Sequence, residues 1–369
     1  MTFATTPLTD PISHIAAGGA SGPVHYFCRD VLAERVAAFR AFPGLVTYAV
    51  KANPDPLVLA ALDLEGFDVA SPEEIALVRE TRPGAALHYN NPVRSRAEIA
   101  GALARGVRSF AVDDPGELDK LIAAGAGSDV EVSVRLRTGG LGAVYEFGSK
   151  FGAMPEEGVT LLRRVAAEGM KPSLTFHVGT QNTDPRAWSL AMAEAAEVAG
   201  KAGVGLHRLN VGGGFPASRE GGARDLTPFF AAIRDARAPF GDAGLVCEPG
   251  RALVADAFLY AVAVKSVRSG RVYLEDGIYG GLSEFVSMHL PRLRVVSPEG
   301  RPRRGAPAPV TVFGPTCDSL DRLPGEVALP RDIAEGDWLL FDGMGAYLTG
   351  VTTRFNGYGA RETVEVQRL

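Results

Sequence analysis

From residue 46 to residue 248 the chain repeats one unit: a short apolar run of strand character, then a stretch with helical spacing. The strand runs are 46–51, 66–71, 87–90, 109–112, 130–137, 174–178, 208–211 and 245–248. Amphipathic segments fill the intervals at 56–64, 72–81, 94–105, 114–124, 156–168 and 186–202. A parallel strand pair needs a crossover long enough to hold a helix, and every one of these intervals is long enough. Eight strands alternating with helices is the pattern of a parallel (β/α)8 barrel. A doubly wound open sheet meets the same strand count. Helix starts agree with the reading: Ser71-Pro72-Glu73-Glu74 offers a cap, a proline at the first helical position and two carboxylates in the first turn.

Past Arg251 the rhythm breaks. Strand-like runs at 258–267, 271–274, 310–313, 338–342 and 363–367 follow one another with turns between, and helical spacing nearly vanishes. That shift predicts a second, mostly antiparallel β domain, joined by the N-terminal strand at 24–27. The boundaries are a barrel over 27–252 and a β domain made of 1–26 plus 253–369. Residues 297–309, rich in Pro, Gly and Arg, read as a surface loop.

Composition excludes several classes. A net charge of −5 gives no electrostatic reason to expect nucleic acid or an anionic membrane. No apolar run reaches the roughly 20 residues that span a bilayer. The start, with Pro7, Asp10 and Pro11, lacks the basic and apolar blocks of a secretion signal. Cys28, Cys247 and Cys317 show neither paired spacing nor a metal-ligand pattern, so a reducing cytoplasm is the expected compartment and no metal is expected.

The unusual polar residues fall at strand carboxyl ends, the face that carries active sites in such barrels. Lys51 ends the buried-looking run Val46 to Val50, where an unpaired cation is costly. A lysine there can be desolvated and form a Schiff base with an aldehyde; a lysine that merely ends the strand in water has the same sequence. Asp68 lies in the second strand, Arg135 in the fifth, and His177 ends the sixth. Gly212-Gly213-Gly214 follows the seventh, where backbone N–H groups can approach a phosphate, and Glu248-Pro249-Gly250-Arg251 closes the eighth. A phosphorylated pyridine aldehyde needs a lysine for its carbonyl, a glycine loop for its phosphate and a carboxylate for its ring nitrogen. Glu248 is suitably placed for the last. His177 could stack on such a ring or be a hydrogen-bonded core histidine.

With those motifs in hand the chain resembles the fold type III (alanine racemase-like) pyridoxal-phosphate decarboxylases, and within them ornithine decarboxylase. The resemblance rests on Tyr48-Ala49-Val50-Lys51-Ala52-Asn53, Phe67-Asp68-Val69-Ala70-Ser71, Phe176-His177-Val178-Gly179-Thr180-Gln181, Val211 to Pro216 and Glu248 to Arg251. It continues through Gly314-Pro315-Thr316-Cys317-Asp318-Ser319, Met344-Gly345-Ala346-Tyr347 and Phe355-Asn356-Gly357-Tyr358, covering about residues 25 to 360. It implies pyridoxal 5'-phosphate bound through Lys51, with His177 on the ring, Glu248 at the ring nitrogen, and Asp68 and Arg135 beside lysine and ring. Gly213, Gly214, Gly250, Arg251 and Tyr347 would surround the phosphate, with Thr180 at a position that is usually Ser. The family builds its site between two subunits of a homodimer, so Cys317 would protonate Cα after carbon dioxide leaves and Asp318 would bind the distal amine, both serving the partner's cofactor. Tyr279 would also contact substrate.

One segment departs from that pattern. Met288, preceded by Ser287, stands where an aspartate for the distal amine is usual, and Glu284 is the nearest carboxylate. Glu284 could substitute for it or be a solvated helix residue. The resulting expectation is decarboxylation of a basic L-amino acid in polyamine biosynthesis, L-ornithine to putrescine first and L-lysine to cadaverine second. Diaminopimelate fits poorly, because its distal carboxylate would meet Asp318. A racemase tends to place an arginine, not Glu248, at the ring nitrogen. A catalytically silent regulator would have lost the cofactor residues, which are all present.

Overall fold

The computed structural model describes residues 9–139, 141–145, 147–218, 222–360 and 362–369. Residues 1–8 of the N-terminal segment assigned to the β domain therefore lie outside the description. Contacts divide the chain into two units, one of residues 36–216 and 224–252, the other of residues 1–35, 217–223 and 253–369.

In chain order the strands begin with β1 (Val24–Phe27), which belongs to the second unit. The next eight are β2 (Leu45–Ala49), β3 (Gly66–Val69), β4 (Ala86–Tyr89), β5 (Ser109–Val112), β6 (Glu131–Arg135), β7 (Lys171–Thr175), β8 (Arg208–Asn210) and β9 (Gly244–Cys247). They form a closed, all-parallel barrel in sequence order, sealed where Leu45 and Val46 of β2 pair with Val246 and Cys247 of β9. The open-sheet alternative is thereby removed. β3 and β5 are buried at every position, as strands covered on both faces must be. The helix Pro72–Thr81 starts as the sequence foretold: the Ser71 hydroxyl accepts from the Glu74 amide at 3.2 Å, and Glu74 accepts from the Ala70 amide at 2.7 Å.

The second unit holds an eight-stranded, mostly antiparallel sheet. Its remaining strands are β10 (Phe258–Arg268), β11 (Arg271–Leu274), β12 (Leu293–Val296), β13 (Pro307–Phe313), β14 (Val327–Pro330), β15 (Trp338–Asp342) and β16 (Glu362–Glu365). The order along the sheet is β12-β15-β10-β11-β13-β14, with β1 pairing antiparallel to β10 and parallel to β16. One core gathers Tyr260, Val262, Leu274, Phe285, Leu339 and Phe341; another gathers Tyr26, Leu259, Ala261 and Leu340. Alternate residues of β10 thus feed opposite faces, as strand geometry requires.

Several expectations are corrected. β2 ends at Ala49, so Lys51 lies on the short 3-10 turn Val50–Ala52 and not in the strand. β7 ends at Thr175, two residues before His177, and β9 ends at Cys247, one before Glu248. The loop expected over 297–309 gives way to β13 at Pro307; its prolines at 307 and 309 alternate along the strand and leave the intervening amides free to pair.

Candidate active site

The rim at the carboxyl ends of the barrel strands gathers Lys51, Asp68, Arg135, His177 and Glu248. Asp68 is fixed within β3 and Arg135 ends β6, its guanidinium 5.0 Å from the Phe151 ring centroid. Lys51 is the exposed member.

Burial pushes the Glu248 carboxyl up; Lys51, the Asn210 amide, Arg135 and the Asn90 amide pull it back. Burial also drives Asp68 well above the carboxylate range, reinforced by Glu248 and opposed by Lys51. His177 is held well below its usual value by burial and then by the Lys51 and Arg135 cations, so its imidazole is neutral at physiological pH. Its Nδ1 accepts from the Gly179 amide at 3.1 Å, which puts the ring proton on Nε2, and the Phe147 ring lies edge-on 4.7 Å away.

The glycine loop has a second reason to be glycine. A Cβ on Gly212 would stand 2.2 Å from the Phe176 carbonyl oxygen, on Gly213 2.6 Å from that of Glu248, and on Gly214 2.3 Å from that of Gly179. The loops after β7, β8 and β9 are interlocked through these positions, whatever they bind. Gly250 belongs to the same packing, its absent Cβ facing Ala52 Cβ at 2.8 Å. Buried Arg251 opens the short helix Arg251–Val254. Thr180 is buried and bridged to Tyr145, its amide donating to the Tyr145 carbonyl at 3.2 Å.

Two residues that sequence reasoning missed complete the rim. Asn90 and Asn210 both donate from Nδ2 to Glu248 Oε1. Neither is unusual in a strand-end sequence, and no spacing rule points to them.

The remaining candidates lie in the β unit. Asp318 is half-buried; its carboxylate accepts from Tyr279 Oη at 2.5 Å and from the Leu320 amide at 2.9 Å, and these bonds, Tyr279 first, hold it below the usual range. Exposed Cys317 has Sγ 3.6 Å from Asn356 Oδ1. Tyr279 is fixed in turn by the Phe355 ring at 5.1 Å and by Thr353, whose amide and hydroxyl both donate to the Tyr279 carbonyl. Buried Asp321, also unforeseen, accepts from the Ile278 amide at 3.0 Å and from the Thr316 amide and hydroxyl, tying the Tyr279 turn to the Cys317 loop. Glu284 is half-buried on the 3-10 turn Ser283–Val286, where a helix was expected, and Met288 is buried while Ser287 is exposed. Tyr347 sits half-buried with φ +56°, left-handed backbone that a tyrosine rarely adopts.

The rim fits a phosphorylated pyridine on observations of this structure. Asp68 Oδ1 is buried with no hydrogen-bond partner, and among the described residues no hydrogen bond reaches Glu248 Oε2. A carboxylate with one oxygen locked and one uncommitted is a natural partner for a protonated ring nitrogen. Among the described residues no His, Cys, Asp and Glu cluster could hold a metal.

Known proteins agree with this geometry. A family model described as pyridoxal-dependent decarboxylase, pyridoxal binding domain, matches residues 29–255. The lysine/ornithine decarboxylase of Selenomonas ruminantium is 33% identical over 332 residues, 86% of this chain and 82% of that protein. The arginine decarboxylase of Paramecium bursaria Chlorella virus bound to agmatine has TM-score 0.86 at 25% identity, over 96% of this chain and all of that one. The lysine/ornithine decarboxylase from Vibrio vulnificus complexed with cadaverine gives 0.84 at 29% identity, over 97% of this chain and all of that one.

Proposed function

The chain belongs to the pyridoxal-dependent decarboxylases, carboxy-lyases of basic amino acids, and from that premise we propose that it decarboxylates L-ornithine to putrescine, with L-lysine the second substrate, in polyamine biosynthesis. The observation that carries this reading is Asp318: a half-buried carboxylate kept ionised by Tyr279 and the Leu320 amide, suited to a distal ammonium and repelling a distal carboxylate. Half-buried Glu284 adds a second negative charge for the same ammonium, in place of the acid absent at Met288.

Bound pyridoxal phosphate supplies the electron sink that lets the Cα–carboxylate bond break. Lys51 Nζ would bond its aldehyde, and Glu248 would carry negative charge at the ring nitrogen, with the Asp68 carboxyl beside lysine and ring. Neutral His177 would lie against the ring without adding a third cation to Lys51 and Arg135. Gly213, Gly214, Gly250, Arg251 and Thr180 would hold the phosphate. Cys317 would supply its thiol proton to Cα after carbon dioxide leaves. Cys317 and Asp318 serve the Lys51 of a second copy in a homodimer.

Carbon dioxide release with the amine product identified, from separate L-ornithine, L-lysine, L-arginine and meso-diaminopimelate, tests the substrate. Ornithine turned over fastest supports the proposal, and release from diaminopimelate or arginine alone overturns it. Mixing inactive Lys51→Ala and Cys317→Ala proteins one to one tests the shared site. Random re-pairing leaves one intact site in each mixed dimer, so about a quarter of wild-type activity returns; a mixture that stays inactive overturns sharing.

A further inference from the structure

Asn210 touches both ends of the rim. Its Oδ1 accepts from the Gly212 amide at 2.9 Å, which fixes the side-chain amide so that Nδ2 faces Glu248. Gly212 in turn accepts from the Glu248 amide at 2.9 Å. Backbone and side chain of Glu248 are therefore both registered to the glycine loop. Asn90, on the residue after β4, approaches the same oxygen from the other side of the barrel. Both amides converge on Oε1, and Oε2 accepts nothing among the described residues.

We propose that Asn90 and Asn210 are positioning residues: they lock Glu248 through Oε1, keep it anionic in a buried place, and reserve Oε2 for the cofactor's ring nitrogen. Asn210 additionally sets the distance between that carboxylate and the phosphate loop. This rests on the reading of Glu248 given above. The physical reason is that an amide N–H bonds a carboxylate more strongly than a carboxylic acid, so two donors on one oxygen oppose the burial that favours the neutral form. A protonated Glu248 has no charge with which to hold a proton on the ring.

The other groups facing Glu248 are Lys51 after β2, Asp68 on β3, Arg135 at the end of β6, His177 after β7 and the neighbouring Cys247. All stay in place when an asparagine is shortened, so a difference between variant and parent isolates the amides.

The test uses cofactor-loaded wild-type, Asn210→Ala, Asn90→Ala and Glu248→Gln proteins. Three quantities are followed against pH: the absorbance of bound cofactor without substrate, the cofactor dissociation constant and kcat/KM. Asn210→Ala is expected to move the acid limb of kcat/KM and of the absorbance titration upward by about one pH unit, with activity recovering on the alkaline side. The cofactor dissociation constant rises about tenfold at the acid end. Asn90→Ala gives a smaller shift in the same direction, and it serves alone if Asn210→Ala does not fold. A uniform fall in kcat at every pH, with neither limb displaced, overturns the proposal and leaves both asparagines as packing residues. If Glu248→Gln matches wild type in absorbance and activity, the ring-nitrogen reading itself fails. An effect of Glu248→Gln with unshifted asparagine variants fails only the present inference.

Discussion

The barrel rim and the loops carrying Cys317 and Asp318 solve the same problem, holding charged groups ready for a ligand, by opposite means. On the rim Asp68, Glu248 and His177 are moved from their ordinary ionisation by burial and by neighbouring charges. Strand ends fix them, and interlocked backbone leaves no room for adjustment. In the β unit Asp318 is only half-buried, and two hydrogen bonds from loop atoms set its state. In the proposed reading, chemistry common to every substrate thus sits at or just past strand ends, and recognition of one substrate on short polar contacts that cost little to change.

The sharpest way to break the contrast is at the rim. Lys51→Ala is expected to abolish the bound-cofactor absorbance and to lower activity by on the order of a thousandfold or more; a variant retaining both refutes the site. Asp318→Ala should raise KM for ornithine about ten- to hundredfold through the lost charge-assisted bond, with the cofactor dissociation constant unchanged. A titration showing cofactor loss would make Asp318 part of the rim after all. Tyr279→Phe carries the smallest effect, about a two- to fivefold rise in KM at neutral pH. Its hydroxyl depresses Asp318, so without it the carboxyl protonates at higher pH. The gap to wild type should widen further as pH falls toward about 4 to 5 and settle at its neutral-pH value above that range, as a KM–pH series would reveal.

The two regions also differ in how far the sequence disclosed them. The barrel was legible because strand runs alternate with capped helices at regular intervals, and polar residues at apolar run ends stand out. Ends of β2, β7 and β9 were drawn long because Val50, Phe176 and Val178 continue the apolar pattern after the ladder has stopped. The helix Thr227–Asp235 escaped notice; its Thr-Pro-Phe-Phe start reads equally as strand. β12 and β14 are short, and the prolines flanking them mask their alternation. Asn90, Asn210 and Asp321 were invisible because their importance lies in partners distant along the chain. Cys317, Asp318 and Tyr347 became visible only through family resemblance, since loop residues carry no periodicity.

The interlock of the three loops has a consequence for descent. Any side chain at Gly212, Gly213 or Gly214 must displace a carbonyl of a neighbouring loop, so single substitutions there are closed to drift, and compensating them demands simultaneous change after two other strands. The turn carrying Glu284 and Met288 is free of that constraint, with Ser287 exposed and Met288 of adaptable shape. New substrates in this lineage are therefore to be sought as changes between residues 283 and 288, inherited on an unaltered rim.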